Sequence, residues 1–145
     1  MAGEAGYCRL MPQTVKDVMG EVKVRLSPEV TLRNLATRLS DARTGLAIVD
    51  VEGGGVISER DVLRAIAAGT DLDTAVVGDH MTPHPVSVPA ATPLSEACDL
   101  MIDRSVRHLL VDDDGELVGV LKMRDVVGVL SGAADLGQVP PARGS

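Results

Sequence analysis

Apolar side chains at Leu32, Leu35, Ala36, Leu39 and Ala42 recur with the spacing of one helical face, and the same spacing returns at Leu94, Ala97, Cys98, Met101 and Ile102. Each helix is preceded by a short extended segment, residues 22–26 and 85–88. Each is followed by two aliphatic runs: "LAIVDV" and "GGVIS" after the first, "HLLVDD" and "LVGVLK" after the second. The runs are separated by Gly53-Gly54 and by Asp113-Asp114-Gly115-Glu116, and Asp-Gly between apolar runs signals a hairpin. A second helix then starts at Ser58 or Lys122, and a glycine near its end, Gly69 or Gly132, predicts where it stops.

The two halves are copies. An offset of 62 pairs Asp17 with Asp79, Met19 with Met81, Leu32 with Leu94, Leu39 with Met101, and Val49-Asp50 with Val111-Asp112. Beyond the hairpin the offset becomes 64, pairing Gly55 with Gly119, Val56 with Val120, and Arg60-Asp61 with Arg124-Asp125. The pattern predicts an α/β (α+β) chain of two tandem β-α-β-β-α repeats at 13–70 and 71–131, between flexible tails at 1–12 and 132–145. Such a unit covers one sheet face with helices and leaves the other bare. The two repeats are therefore expected to pack sheet to sheet with pseudo-two-fold symmetry.

Composition narrows the picture. Hydrophobic residues make up 45% of the 145, but there is no Phe, no Trp and a single Tyr, so the core is aliphatic. A net charge of -7 disfavours nucleic acid and anionic membranes as partners through its long-range field. No apolar stretch reaches the length of a membrane span and no export signal precedes the first repeat, which makes cytoplasmic the expected location. Cys8 and Cys98 fit no metal or redox spacing, and His80, His84 and His108 form no i,i+4 pair, so no metal site is expected. No motif for nucleophilic or general acid–base catalysis is present, and no enzyme activity is expected.

The stretch "GVISERD" carries the clearest chemistry. Ser58 and Asp61 have the spacing of a capping box, in which each side chain bonds the other residue's backbone N–H. A hydroxyl and a carboxylate at a helix mouth also suit the ribose and phosphates of a nucleotide. The equivalent stretch "GVLKMRD" keeps the aspartate as Asp125 but replaces the serine by Lys122, so a box cannot account for both copies. Arg107 and Arg124 suit phosphate or, equally, the acidic run at 112–114.

The duplicated unit, the "DVM" and "DHMT" openings, "VRHLLVDDDGELVGVL" and "GVISERDVLRAI" together resemble a CBS domain pair, or Bateman module, over residues 14–131. The resemblance implies a homodimer and two ligand clefts for AMP, ADP, ATP or another adenosyl ligand. It places Val56, Ser58, Asp61, Met81, Thr82, Val86, Arg107, His108 and Arg124 in a main cleft: Val56, Met81, Thr82 and Val86 against the base, Asp61 on the ribose, and Arg107, His108 and Arg124 on phosphate. Met19, Arg43, Arg60, Val120, Lys122 and Asp125 would form a weaker second cleft, unless Lys122 grips phosphate and reverses that ranking. The resulting expectation is a stand-alone, non-catalytic regulator with no required cofactor, which signals ligand occupancy to a protein partner not yet identified. The alternative is a ligand-free dimeric interaction or scaffolding module.

Overall fold

The structure is a computed structural model that describes residues 13–135, so the tail expected at 1–12 and most of that expected at 132–145 lie outside the described residues. The elements run α1 (Val15–Val18), β1 (Arg25–Leu26), α2 (Leu32–Ala42), β2 (Leu46–Val49), β3 (Gly55–Ser58), α3 (Glu59–Ala67), a 3-10 turn (Val77–Asp79), β4 (Thr82–Pro83), β5 (Ser87–Pro89), α4 (Leu94–Arg104), β6 (His108–Asp113), β7 (Glu116–Lys122) and α5 (Met123–Asp135). They form two compact units. One is Val22–Pro85; the other joins the described residues before it to those from Val86 onward.

In the Val22–Pro85 unit the sheet order is β1-β2-β3-β4, with β1 parallel to β2 and the other pairings antiparallel. The parallel pair needs a crossover, which α2 provides; Thr31 caps it by accepting the N–H of Asn34 (3.2 Å). Leu32, Leu35 and Leu39 of α2 and Val62 and Ala65 of α3 close on Leu26, Ala47, Val49 and Ile57 of the strands. The other unit repeats this plan with β5 parallel to β6 and β6 antiparallel to β7. Its cluster contains Leu94, Ala97 and Met101 of α4, Val126 of α5, and Val88, Leu109, Val111 and Leu121. The β6–β7 turn holds Asp114 and Gly115 at φ 53° and 84°, the paired positive values of a tight hairpin.

The linear repeats and the compact units differ in one systematic way. The Val15 and Lys16 N–H groups donate to the carbonyls of Thr92 and Ala90, and Leu94 N–H donates to Gln13. Val77 and Gly78 donate to Val30 and Pro28 in the same manner, and Leu32 N–H donates to Ala75. Each segment that leads into a repeat is thus bonded to the helix entrance of the other repeat. A methionine marks each crossing. Met81 lies over Gly55, where a Cβ would stand 2.6 Å from its Sδ, and Met19 lies over Gly119, where a Cβ would stand 2.5 Å from its Sδ.

Two expectations are corrected. Ile102 is 63% exposed, because on α4 it sits about 80° round from Leu94, on the flank of the stripe formed by Leu94, Ala97 and Met101. Gly132 does not stop α5, which runs to Asp135. A helical glycine costs about 1 kcal/mol relative to alanine, but ends a helix only where the backbone turns left-handed, as Gly69 does at φ 79°. Among the described residues no helix is long and apolar enough to cross a membrane.

Candidate functional site

In the Val22–Pro85 unit the chemistry gathers where β3 runs into α3. Side chains alternate across a strand, so with Ile57 in the helix-covered core, Val56 and Ser58 project from the opposite sheet face. Val56 is paired with Thr82 of β4, and Met81 covers the neighbouring Gly55. Asp61 follows in the first turn of α3. Val56, Ser58, Asp61, Met81 and Thr82 therefore belong to one unit, but Met81, over Gly55, lies on the helix-covered face with Ile57, whereas Val56 and its partner Thr82 share the face that carries Ser58.

The corner is closed as a capping box. Ser58 donates to Asp61 Oδ2 through both its N–H (2.8 Å) and its hydroxyl (3.1 Å). The Asp61 N–H returns a longer bond to Ser58 Oγ (3.4 Å). Arg64 Nη1 stands 3.7 Å from Oδ1, and the Asp61 side chain is 18% exposed. One carboxylate oxygen is committed to the cap; the other, with only that distant cation among the described residues, has lone pairs left to accept a hydroxyl. The same box recurs at Thr14 and Asp17 at the start of α1, where the Thr14 N–H donates to Asp17 Oδ2 (3.1 Å).

The equivalent corner of the other unit is built alike but lined differently. The Met123 N–H donates to the Arg107 carbonyl (2.7 Å), as the Glu59 N–H does to Gly45 (2.9 Å). His108 lies opposite Lys122 in the β6–β7 register. Lys122 and Val120 project from the face opposite Leu121, which is in the core. Val86 accepts the Leu110 N–H (2.9 Å), and Val120 exchanges two backbone bonds with Gly20. Val86, Arg107, His108 and Arg124 are thus held in one unit together with Met19, Val120, Lys122 and Asp125, while Arg43 and Arg60 belong to Val22–Pro85. Arg43 ends α2 in a left-handed turn (φ 54°), as Ser105 ends α4 (φ 55°).

Pairing of Arg107 with the acidic turn is excluded by β6. Five strand positions separate Arg107 from Asp112, roughly 16 Å at about 3.3 Å per residue. The sequence reading missed Glu59. A Cβ on Gly45 would stand 3.1 Å from the Glu59 carboxylate, so this acid lies where a side chain at position 45, the equivalent of Arg107, would begin. The trace was there in the alignment, as Gly45 against Arg107 and Glu59 against Met123.

The comparisons agree with this architecture. The CBS domain family matches the chain twice, over residues 15–68 and 77–132. A CBS domain protein from Pyrobaculum aerophilum, solved in complex with AMP, is 31% identical and superposes with a TM-score of 0.72, over 85% of this chain and 99% of that one. The CBS domain of a bacterial CNNM/CorC family Mg2+ transporter, solved with ATP, has a TM-score of 0.75 over 89% of this chain and 94% of that one; at 23% identity it shares the fold. An uncharacterized protein of Methanopyrus kandleri is 31% identical over 71% of this chain and 55% of its own length. The chain spans 55%, 65% and 36% of three curated relatives that it matches. With both repeats matched and each built on the same strand, hairpin and helix plan, the chain belongs to the CBS domain family.

Proposed function

We propose that this CBS pair is a non-catalytic cytoplasmic regulator that binds an adenosyl ligand of the AMP, ADP or ATP type and, as a homodimer, passes its occupancy to a protein partner. The observation that carries the reading is the likeness, at 31% identity and nearly full coverage of the relative, to a protein whose structure contains AMP. The β3–α3 corner supplies suitable chemistry. Val56 and Thr82 would offer a surface for a base, and Asp61 Oδ1, which the cap leaves out, would accept a ribose hydroxyl while Oδ2 stays in the cap. Regulation further requires that the ligand favour one conformational or assembly state over another, since equal affinity for both would shift nothing.

A ligand-free interaction module is the second reading, and the closed capping box favours it. Thr14 and Asp17 show that this sequence pattern can serve the backbone alone. Nucleotide carry-over separates the two. With one Tyr and no Trp the protein absorbs weakly near 280 nm, so a bound adenine dominates its spectrum near 260 nm. Thermal shifts against AMP, ADP, ATP and S-adenosylmethionine follow; a ligand at 100 times its Kd adds about 2.7 kcal/mol. Asp61→Ala is expected to abolish binding, Ser58→Ala to retain it at reduced stability, and Asp125→Ala to change it little. Flat melting curves across the panel would leave the interaction module as the better reading.

A further inference from the structure

The equivalence of the two repeats extends to one oxidisable atom. Among the described residues the methionines are Met19, Met81, Met101 and Met123. Met101 aligns with Leu39 and Met123 with Glu59, but Met19 aligns with Met81, and each of these two sits in the segment that leads into a repeat. Both are partly buried at the edge of the core of the unit that holds them. Each sulfur fills a hollow over a glycine: Met19 Sδ would stand 2.5 Å from a Cβ at Gly119, and Met81 Sδ 2.6 Å from one at Gly55. Backbone bonds flank each hollow. Gly20, next to Met19, exchanges bonds of 2.9 and 3.0 Å with Val120, and Val15 and Lys16 donate to Thr92 and Ala90. Thr82, next to Met81, pairs with Val56, and Val77 and Gly78 donate to Val30 and Pro28 (both 2.8 Å).

A thioether packs as an apolar group, but its sulfoxide is polar and carries one more oxygen. On the strand side that oxygen has no room, since the sulfur already stands where a Cβ would clash, and on the core side it would be buried without a donor. It must face water, which draws the side chain out of the hollow. We infer that Met19 and Met81 are paired oxidation sites, at which hydrogen peroxide converts the thioether to the sulfoxide and thereby loosens the leading segment from the glycine strand it covers. In this step the peroxide O–O bond breaks, one oxygen passes to the sulfur, which gives up two electrons, and the other leaves as water. Methionine sulfoxide reductases reverse it: two thiols are oxidised to a disulfide and the oxygen leaves as water. Partial exposure gives the oxidant an access that Met101, 1% exposed, denies it. The partly buried Cys98 thiol, held protonated by burial and by the charge of Asp99, competes poorly for the peroxide. Nucleotide binding plays no part in this chemistry.

The test treats the full chain with hydrogen peroxide and follows it by peptide mass spectrometry and by amide hydrogen exchange. Met19 and Met81 are expected to gain one oxygen each well before Met101. Once Met19 is oxidised, exchange at Val15, Lys16, Gly20 and Val120 should speed up about tenfold, while Leu109 and Leu121, paired with each other in the same unit, keep their protection. Oxidation of Met81 should act in the same way on Val77 and Gly78. Methionine sulfoxide reductases supplied with a dithiol should restore both segments. Met19→Leu and Met81→Leu keep the apolar bulk without the sulfur, and each is expected to abolish the response of its own segment alone. Oxidation of Met101 as fast as that of Met19, unchanged exchange at Gly20 and Val120 once Met19 is oxidised, or an equal response in Met19→Leu would overturn the inference. The first two measurements use the unaltered chain, so they decide even if a leucine variant fails to fold.

Discussion

Gly55 and Gly119 occupy equivalent strand positions beneath equivalent methionines, yet alanine is expected to act differently at each. A Cβ at Gly55 would meet Met81 Sδ at 2.6 Å, with Met81 Cε and Val49 Cβ both at 3.4 Å. The one severe contact is the flexible end of a thioether, which can swing away. A Cβ at Gly119 would meet Met19 Sδ at 2.5 Å and also the Gly20 carbonyl oxygen at 2.9 Å. That oxygen accepts the Val120 N–H (3.0 Å), so relief requires the crossing segment to shift and strain a backbone bond. Overpacking of this kind costs about 1–3 kcal/mol, and the lower entropy of an unfolded alanine offsets about 0.4–1 kcal/mol. Gly55→Ala should therefore be near neutral. Gly119→Ala should lose about 1–2 kcal/mol, or about 3–6 °C in Tm for a chain of this size. Thermal unfolding followed by far-ultraviolet circular dichroism measures both, and a double-mutant cycle adds the mechanism. Met81→Ala should cancel any cost of Gly55→Ala, while Met19→Ala should relieve only part of the cost of Gly119→Ala. Equal costs at the two glycines, or full rescue by Met19→Ala, would show that the Gly20 carbonyl is not the obstacle.

Other consequences can be checked with similar economy. Met101→Ala, which removes a side chain that is 1% exposed, should cost about 2–5 kcal/mol in urea denaturation, whereas Ile102→Ala should stay within about 0.5 kcal/mol; a large loss at Ile102 would contradict its placement. Arg33 has its pKa raised by the hydrogen bond and the charge of Asp73, but the pair is solvent-exposed, so Arg33→Ala should leave the melting temperature unchanged within error. The Cys98 thiol is pushed up by burial and then by the charge of Asp99, which keeps it protonated. Its alkylation, mapped by peptide mass spectrometry, should be slower than that of a free thiol at neutral pH and keep rising at pH values where the free thiol has levelled. The linked contribution to stability is present below the unfolded thiol pKa and is lost as pH rises through the folded value. A Cys98 profile that overlies that of a free thiol would refute the shift.

The parts of the fold legible in the sequence were those with local causes. The stripe of Leu32, Leu35 and Leu39 and its copy at Leu94, Ala97 and Met101 specify helices by spacing alone, and Asp114-Gly115 specifies a turn by backbone preference. The crossed leading segments were not legible, because backbone bonds such as Val15 to Thr92 and Val77 to Val30 leave no side-chain period. Their one trace is steric: a methionine in each leading segment and a glycine in the opposite repeat's strand. The site divides in the same way. The cap formed by Ser58 and Asp61 follows from three-residue spacing, but Glu59 against Gly45 is a tertiary contact that emerges only when the strand and helix meet.

That distinction bears on how the β3–α3 corner is to be interrogated. A cap and a ligand contact were opposed readings of two residues in the sequence; in the structure the cap takes Oδ2 of the carboxylate for the Ser58 N–H and leaves Oδ1, 3.7 Å from Arg64 Nη1, as the atom that the proposed ribose contact would use. Asp61→Ala removes both functions, so a loss of binding there is ambiguous by itself. Ser58→Ala removes the hydroxyl from the cap at a cost of about 1 kcal/mol and leaves the carboxylate in place. If Ser58→Ala lowers the melting temperature but retains nucleotide affinity while Asp61→Ala loses both, the carboxylate binds ligand in its own right. If affinity falls in proportion to stability in both variants, Asp61 acts only by starting α3, and the capping box at Thr14 and Asp17 is then its true counterpart.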